Sequence, residues 1–150
     1  MSSPELSPTE VADRLAIIEV THRYCWALDS RDWGLLDDVF AADATAELRS
    51  PVLVGRDAIR DRISTAIETL DATHHMVTNH LVAIDGDRAT CRCYLQSQHI
   101  RNAAIGGVNF IIAGWYEDEL RRTADGWRVS FRRLVQVWTE GNIDVVRPPR

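Results

Sequence analysis

The stretch HMVTNHLVAIDGDRATCRCYLQSQHI, residues 75–100, gives the clearest indication of the fold of this 150-residue chain. Apolar and polar side chains alternate on both sides of Asp85-Gly86-Asp87, and a period of two is typical of β-strands. An Asp-Gly pair readily adopts the positive φ values of a tight hairpin turn. The pattern therefore predicts two long antiparallel strands, His75–Ile84 and Ala89–Ile100.

A second hairpin follows the first. Val108–Arg121 and Trp127–Trp138 alternate in the same way on either side of Thr123–Gly126, so they predict two more long strands. A shorter strand is expected near Ala46–Val54, where Pro51 favours the edge of a sheet because proline cannot donate a ladder hydrogen bond.

The residues before these strands follow a helical spacing instead. Ser7-Pro8-Thr9-Glu10 predicts a helix start, with Ser7 as cap, Pro8 in the first turn and Glu10 completing a capping box. The first helix should run from about 8 to 29, followed by a second over Trp33–Ala42 and a third over Asp57–Leu70. The first helix presents an apolar stripe at helical spacing, formed by Val11, Leu15, Ile18, His22, Cys25 and Leu28.

Three helices followed by antiparallel strands predict an α+β protein in which the helices cover one face of a sheet. The chain has no internal repeat and no linker, so we expect a single domain over residues 1–150 with its core at about 8–142.

The composition excludes several classes of function. All 17 basic residues are arginine, so neither a lysine Schiff base nor a P-loop lysine is available. The formal net charge of −5 argues against a nucleic-acid-binding surface, which needs clustered positive charge. There is no secretory signal at residues 1–8 and no apolar run near the roughly 20 residues that span a bilayer. We therefore expect a cytoplasmic protein that binds neither nucleic acid nor membrane.

Polar residues on the inner face of the sheet are the candidates for a site. In the second long strand His99 shares a face with small and apolar residues, Ala89, Cys91, Cys93, Leu95 and Ser97, so it should point inward. A core histidine with locally satisfied nitrogens is the simpler interpretation. In the first strand, strict alternation would place His74 and His80 inward and His75 outward, whereas a bulge between them would turn His75 inward.

Adjacent His74 and His75 point to opposite faces of a strand, and no zinc-binding spacing is present. No metal site is therefore expected. Asp29 ends the first helix, where the helix dipole disfavours a carboxylate. It either caps the following turn in solvent or orients a histidine as general base at the mouth of a pocket.

The ordered set of segments resembles one family. Ile17–Asp29, Val39–Ala44, Gly55–Ile59, His75–Asn79 and Gly114–Leu120 are similar, in this order, to SnoaL-like members of the nuclear transport factor 2-like superfamily. The resemblance runs from about 10 to 140. It implies a cone-shaped fold in which three N-terminal helices pack on a strongly curved, mostly antiparallel sheet that encloses a pocket.

Within this superfamily the chain is most similar to scytalone dehydratase and hexachlorocyclohexane dehydrochlorinase, which remove a proton with an Asp–His pair. The resemblance implies that Asp29 and His75 are the pair and that His99 is a second pocket histidine. The chain has Leu28 where the dehydratase has a tyrosine, and Tyr24 where the dehydrochlorinase has a lysine. Neither family's own substrate is therefore expected.

These observations predict a cofactor-free lyase of the dehydratase type, in which His75 removes a proton α to a carbonyl. Tyr24 or His99 would polarise the carbonyl or protonate the leaving hydroxyl. The substrate would be a hydrophobic cyclic or polyketide-like molecule, with Tyr24, Phe40, Trp115 and Tyr116 lining its pocket.

Two other functions remain compatible with the sequence. The same pair could serve a polyketide cyclase or isomerase. Alternatively, the domain could bind a small molecule without catalysis, or act as a structural protein like the β-subunits of ring-hydroxylating dioxygenases. Pairing through the exposed sheet predicts a homodimer or homotrimer, although Arg92, Gln98 and Arg101 should make that face polar.

Overall fold

The computed structural model describes residues 5–49 and 51–147. Two α-helices and six strands follow one another along the chain. They are α1 (Pro8–Ser30), β1 (Phe40–Glu47), β2 (Leu53–Val54), α2 (Arg56–Glu68), β3 (Ala72–Asp85), β4 (Arg88–Ile100), β5 (Asn109–Thr123) and β6 (Gly126–Gly141), with short 3₁₀ helices at Trp33–Asp38 and Ile143–Val145.

Helix α1 begins as the sequence predicts. The Ser7 hydroxyl accepts a hydrogen bond from the backbone N–H of Glu10, and the Glu10 carboxylate accepts one from the N–H of Ser7. Pro8 occupies the first turn. The predicted apolar stripe is wrong at Val11, Leu15 and His22, which are exposed. The buried face is instead formed by Ile17, Val20, Thr21, Tyr24, Cys25, Ala27 and Leu28.

The predicted second helix is wrong beyond its first turns. A 3₁₀ helix covers Trp33–Asp38, and Phe40 then starts β1 rather than continuing a helix. β1 pairs in parallel with β6, which follows it by more than 80 residues (Phe40 opposite Val129). This distant pairing overrides the local helical spacing. The strand predicted at Ala46–Val54 is displaced, since β1 ends at Glu47 and the two residues of β2 form the sheet edge next to it.

The four long strands form the two predicted antiparallel hairpins, and the six strands lie in the order β2-β1-β6-β5-β4-β3. Among the described strands, only the β1–β6 pair is parallel. One continuous core packs α1, α2 and the buried face of the sheet together. The α+β organisation and the mostly antiparallel sheet are thus present, with two α-helices and one 3₁₀ helix where three helices were expected.

A bulge in β3 decides which histidines reach the core. Thr78 lies opposite Tyr94 and Leu81 opposite Arg92, so two residues of β3 face one of β4. Asn79 adopts a left-handed conformation with φ 56° at this point. The extra residue shifts the alternation.

As a consequence, His75 and His80 both point inward, on either side of the bulge, and His74 points outward. His75 is buried opposite Ser97, and the His80 ring lies 2.8 Å from the Thr21 hydroxyl. On β4, His99 is buried on the inner face as predicted.

The expected loose ends of the chain fall largely outside the described residues, since 1–4 and 148–150 are not among them. In the part that is described, no helix is both long and apolar enough to cross a membrane.

Replacing Asn79 with valine should lower the free energy of unfolding by about 1–2 kcal/mol, because a β-branched residue is strained in the left-handed region. Glycine has no such strain, so Asn79→Gly should stay within about 0.5 kcal/mol of the wild type. Urea denaturation followed by tryptophan fluorescence measures both. Equal losses in the two variants would show that the amide side chain, and not the backbone conformation, holds the bulge.

Candidate active site

A cavity of about 200 Å³ lies between the two α-helices and the buried face of the sheet. Its wall is mostly apolar, with polar groups from the sheet and two arginines, one after β1 and one on α2. The lining is formed by Tyr24, Leu28, Leu48, Arg49, Arg62, Ile63, Ala66, Ile67, Leu70, His75, Leu95, Ser97, His99, Ile112, Tyr116, Leu134 and Val146. An apolar pocket with a few convergent polar groups is the usual form of a small-molecule site.

Asp29 and His75 are in direct contact at this cavity. The His75 ring places Nδ1 2.7 Å from Asp29 Oδ1, and the backbone N–H of His75 donates to Asp29 Oδ2 at 2.9 Å. The Thr73 hydroxyl donates to Oδ1 at 2.9 Å. Because the carboxylate only accepts, Nδ1 carries the proton and Nε2 holds the free lone pair.

The three hydrogen bonds explain how a carboxylate is tolerated at the C-terminal end of α1. Burial by itself would raise the pKa of Asp29, but the hydrogen bonds from the His75 ring and backbone and from Thr73 outweigh it, and the pKa is lowered. Asp29 is therefore ionised at neutral pH. An ionised partner fixes the tautomer of His75 and stabilises the imidazolium that forms when His75 takes a proton.

His99 lies on the adjacent strand with its ring centroid 5.8 Å from that of His75. Its Nδ1 is 3.2 Å from the carbonyl oxygen of Phe110, to which it donates. Burial, together with the neighbouring His75, lowers the pKa of His99 to about 4. His99 is thus neutral at pH 7 and presents the lone pair of Nε2, so it can accept a hydrogen bond but is a poor proton donor.

Tyr24 and Tyr116 form the cavity wall that backs onto a buried cation. Their rings meet edge to face with centroids 5.6 Å apart. The Arg132 guanidinium carbon lies 4.3 Å from the Tyr24 ring centroid and 4.2 Å from that of Tyr116. Burial raises the pKa of both phenols, although the charge of Arg132 opposes the rise. Both tyrosines are therefore hydroxyl donors at neutral pH.

Arg132 is fully buried and is neutralised by Asp118, which is buried with it. The Nε and Nη2 atoms of Arg132 donate to the two carboxylate oxygens of Asp118 at 2.7 and 2.6 Å. The third nitrogen, Nη1, is buried and has no hydrogen-bond partner among the described residues. A bidentate ion pair thus lies directly behind the aromatic wall of the cavity.

Two residues expected at the pocket lie elsewhere. Phe40 is fully buried and packs against Tyr24 and Arg132, so it belongs to the core behind the cavity and not to its lining. Trp115 lies on the outer face of β5, because adjacent strand residues point to opposite faces and Tyr116 takes the inner one. Its indole N–H donates to Glu117 on that face.

The sequence interpretation missed Thr73, Asp118, Arg132 and the two arginines of the lining. One signal was available, since Asp118 stands between Tyr116 and Leu120 on the inward face of β5. A carboxylate on an apolar face implies a buried cation. Nothing local indicates which arginine supplies it.

The buried cysteines are not suited to be nucleophiles. Burial raises the pKa of Cys25 to about 11 and those of Cys91 and Cys93 to about 12, whereas the thiolate is the reactive form. Across residues 5–49 and 51–147, no group of three or more histidine, cysteine, aspartate or glutamate side chains could hold a metal ion.

Comparison with known proteins gives the family. The SnoaL-like domain matches residues 9–133 of the chain. The chain belongs to the SnoaL-like family. An uncharacterized protein of Mycobacterium tuberculosis is 34% identical over 131 residues, which cover 85% of this chain and 87% of that protein. The crystal structure of the Kfla4162 protein from Kribbella flavida is 31% identical, with a TM-score of 0.85 over 91% of this SnoaL-like chain and 98% of the other.

More distant structures share the fold. A protein of Novosphingobium aromaticivorans provisionally named a scytalone dehydratase has a TM-score of 0.81 at 21% identity, covering 90% of this chain and 91% of that one. A hexachlorocyclohexane dehydrochlorinase has a TM-score of 0.75 at 17% identity, covering 87% and 88%. The domain match confirms the SnoaL-like resemblance expected from the sequence, and a nuclear transport factor 2-like protein of Salmonella enterica at 14% identity shares the fold with a TM-score of 0.77.

Truncating Arg132 to methionine should destabilise the SnoaL-like domain by about 3–5 kcal/mol, because it leaves Asp118 buried without a countercharge. The double variant Arg132→Met/Asp118→Leu removes both charges and should recover most of that loss. Chemical denaturation of the two variants and of Asp118→Leu completes a double-mutant cycle. Additive losses would contradict a direct coupling between the two side chains.

Proposed function

We propose that this SnoaL-like protein is a cofactor-free lyase of the dehydratase type that removes a proton α to a carbonyl. The contact of Asp29 with Nδ1 of His75 at an apolar cavity carries the proposal. It is supported by the fold shared with proteins named as a scytalone dehydratase and a dehydrochlorinase.

The base of the proposed reaction is Nε2 of His75. Nδ1 is occupied by Asp29, and Nε2 has no protein partner among the described residues although the ring borders the cavity. A substrate C–H placed against Nε2 loses its proton to this nitrogen, and the electron pair of the broken bond moves into the carbonyl to give an enolate. Asp29 then stabilises the imidazolium.

The proposed electrophile is Tyr24. Its neutral hydroxyl can donate a hydrogen bond to the carbonyl oxygen, and the Arg132 guanidinium stacks on its ring. Negative charge that develops on the oxygen is stabilised by the phenol and by the nearby guanidinium. Tyr116 lines the same wall and supports this arrangement.

Loss of water completes the reaction. The enolate returns its electron pair to form the carbon–carbon double bond, the bond from the β-carbon to the hydroxyl oxygen breaks, and the proton on His75 Nε2 passes to the departing hydroxide to give water. Neutral His99 accepts a hydrogen bond from the hydroxyl and holds it in place. It does not act as the acid that protonates the hydroxyl. Of the two acids considered from the sequence, the donor role therefore goes to Tyr24.

The dimensions of the cavity favour a compact substrate. About 200 Å³ is below the roughly 300–1,000 Å³ of typical drug-sized sites. The aliphatic lining is suited to a hydrophobic cyclic carbonyl compound. A cyclase or isomerase would use the same base, and the structure of the product distinguishes these reactions from dehydration.

His75→Ala should lower kcat/KM by about 10²–10⁴-fold, the usual contribution of one positioned base. Asp29→Asn should also lower kcat, because an amide cannot stabilise the imidazolium. Dehydration of a panel of cyclic β-hydroxyketones, followed by the ultraviolet absorbance of the enone, measures the rates.

The matched control is His74→Ala, which removes a neighbouring imidazole on the outer face of the same strand and should leave the rate unchanged. Full activity of a correctly folded His75→Ala variant would refute the mechanism. If the wild-type protein binds these ketones without turnover or exchange of the α-proton with deuterium, a non-catalytic binding domain becomes the better interpretation.

We also propose that the protein forms a homo-oligomer through the outer face of the sheet. Arg92 and Gln98 are exposed there as expected, but the centre of the face is apolar, contrary to the expectation of a polar surface. Met76, Tyr94, Val137 and Trp138 are all exposed beside Trp115. Exposed apolar patches of this kind mark protein interfaces.

A charge in this patch should prevent association, because it would be buried without a partner in the interface. Trp138→Glu is expected to shift the mass measured by size exclusion with light scattering to that of the monomer. Ile105→Glu, in a loop away from the patch where Ile105 is 91% exposed, should not. A monomeric wild-type protein at micromolar concentration would exclude the proposed interface.

A further inference from the structure

Two arginines line the cavity together with His75 and His99. Arg49 follows β1, and Arg62 lies on α2. Both are exposed at the rim of the cavity. The rim therefore combines positive charge with an otherwise aliphatic wall.

The positive charges of Arg49, Arg62 and Arg147 repel one another. Burial, followed by the nearby charges of Arg62 and then Arg147, lowers the pKa of Arg49. The charge of Arg49 also contributes to the lowered pKa of His99, which places this guanidinium within electrostatic range of that ring.

No carboxylate of the described residues lies within 4 Å of Arg49 or Arg62, although the chain has an excess of acidic residues. Several other arginines are paired with a carboxylate, as Arg122 with Asp13, Arg128 with Asp38 and Arg133 with Glu47. The one side-chain partner of Arg49 is neutral, the amide oxygen of Gln136 at 3.0 Å. Most donors of both guanidinium groups are thus left for another acceptor.

The backbone of Arg49 is itself unusual. Its φ of 72° lies in the left-handed region, which is unfavourable for a residue other than glycine. Strained backbone persists where the surrounding structure holds it, and such positions cluster at ligand sites. Here it accompanies a side chain that reaches the rim of a pocket.

From these observations we infer that Arg49 and Arg62 form a subsite for a carboxylate group of the substrate. The ligand class is a compact cyclic carboxylate, whose charged group binds at the arginine rim while its ring enters the apolar cavity toward His75 and His99. Planar guanidinium groups bind carboxylates through paired, charge-assisted hydrogen bonds. The assignment of this ligand as substrate rests on the proposed lyase function, whereas the subsite itself does not.

Benzoate and its neutral analogue benzamide are suitable probes. Titration of the ¹⁵N-labelled protein by NMR should show binding of benzoate at the cavity at least about tenfold tighter than binding of benzamide, because a charge-assisted hydrogen bond contributes about 1.5–3 kcal/mol and 1.4 kcal/mol is tenfold. The double variant Arg49→Gln/Arg62→Gln should abolish this preference and leave benzamide binding unchanged. Arg88→Gln, which removes an arginine away from the cavity, is the matched control and should keep the preference.

The pH dependence separates arginine from histidine as the anion-binding group. Guanidinium groups stay protonated throughout the neutral range, so benzoate affinity should be constant between about pH 6 and pH 9. A loss of affinity as pH rises would assign the anion to a protonated histidine and overturn the proposal. Equal binding of benzoate and benzamide would overturn it as well.

Failure of the subsite and failure of the lyase mechanism give different results. His75→Gln should retain the benzoate preference even though it removes the base. Arginine-dependent benzoate binding without any lyase activity would leave the subsite standing and contradict the mechanism. Activity on neutral ketones that is unchanged by Arg49→Gln/Arg62→Gln, with no benzoate preference, would contradict the subsite alone.

Discussion

Asn79 adopts a left-handed backbone conformation in the middle of β3, and the residue added there changes the face to which the strand's side chains point. The strand has inward side chains on both sides of the bulge: some pack against α1 after it, and others face the cavity before it. With strict alternation, only one of these two sets could point inward. His75 would lie on the outer face, out of reach of Asp29. The site therefore depends on a bulge, a feature often found beside active sites because it re-aims side chains.

The contact that the bulge permits has both a structural and a chemical consequence. Asp29 ties the end of α1 to β3 through the backbone as well as the ring of His75. The same carboxylate sets the tautomer of His75 and leaves Nε2 toward the cavity. Because the backbone hydrogen bond fixes the position of the carboxylate independently of the ring, the geometry of the pair does not rely on the ring contact alone.

A second electrostatic layer lies behind the aromatic wall. Arg132 is neutralised by Asp118, yet it remains stacked on the rings of Tyr24 and Tyr116. A neutral pair keeps the burial of the guanidinium tolerable, while its positive end stays close to the phenol proposed to polarise the substrate. The hydrophobic core and the candidate site thus share residues, and Phe40, expected in the pocket, supports this layer from behind.

The features that depend on near neighbours in the chain could be predicted from the sequence. The cap of α1, the two hairpins, the inward face of β4 with His99 and the α+β organisation all follow from short spacings and from turn chemistry. Asp29 was singled out because its position conflicts with the helix dipole, and the conflict is resolved by three hydrogen bonds from β3.

The tertiary structure alone decided whatever depends on partners distant in the chain. β1 replaces a predicted helix because it pairs in parallel with β6. Trp115 and Tyr116 point to opposite faces of β5, and tertiary packing decides which of the two faces is buried. Predicting that His75 points inward requires that the bulge be known, and Asn79 tolerates this bulge but does not impose it. The partner of Asp118 could be any of 17 arginines, and only the register of β5 against β6 selects Arg132. Local sequence patterns predict most of the helices and strands, but pairing across the sheet determines which side chains meet in the cavity.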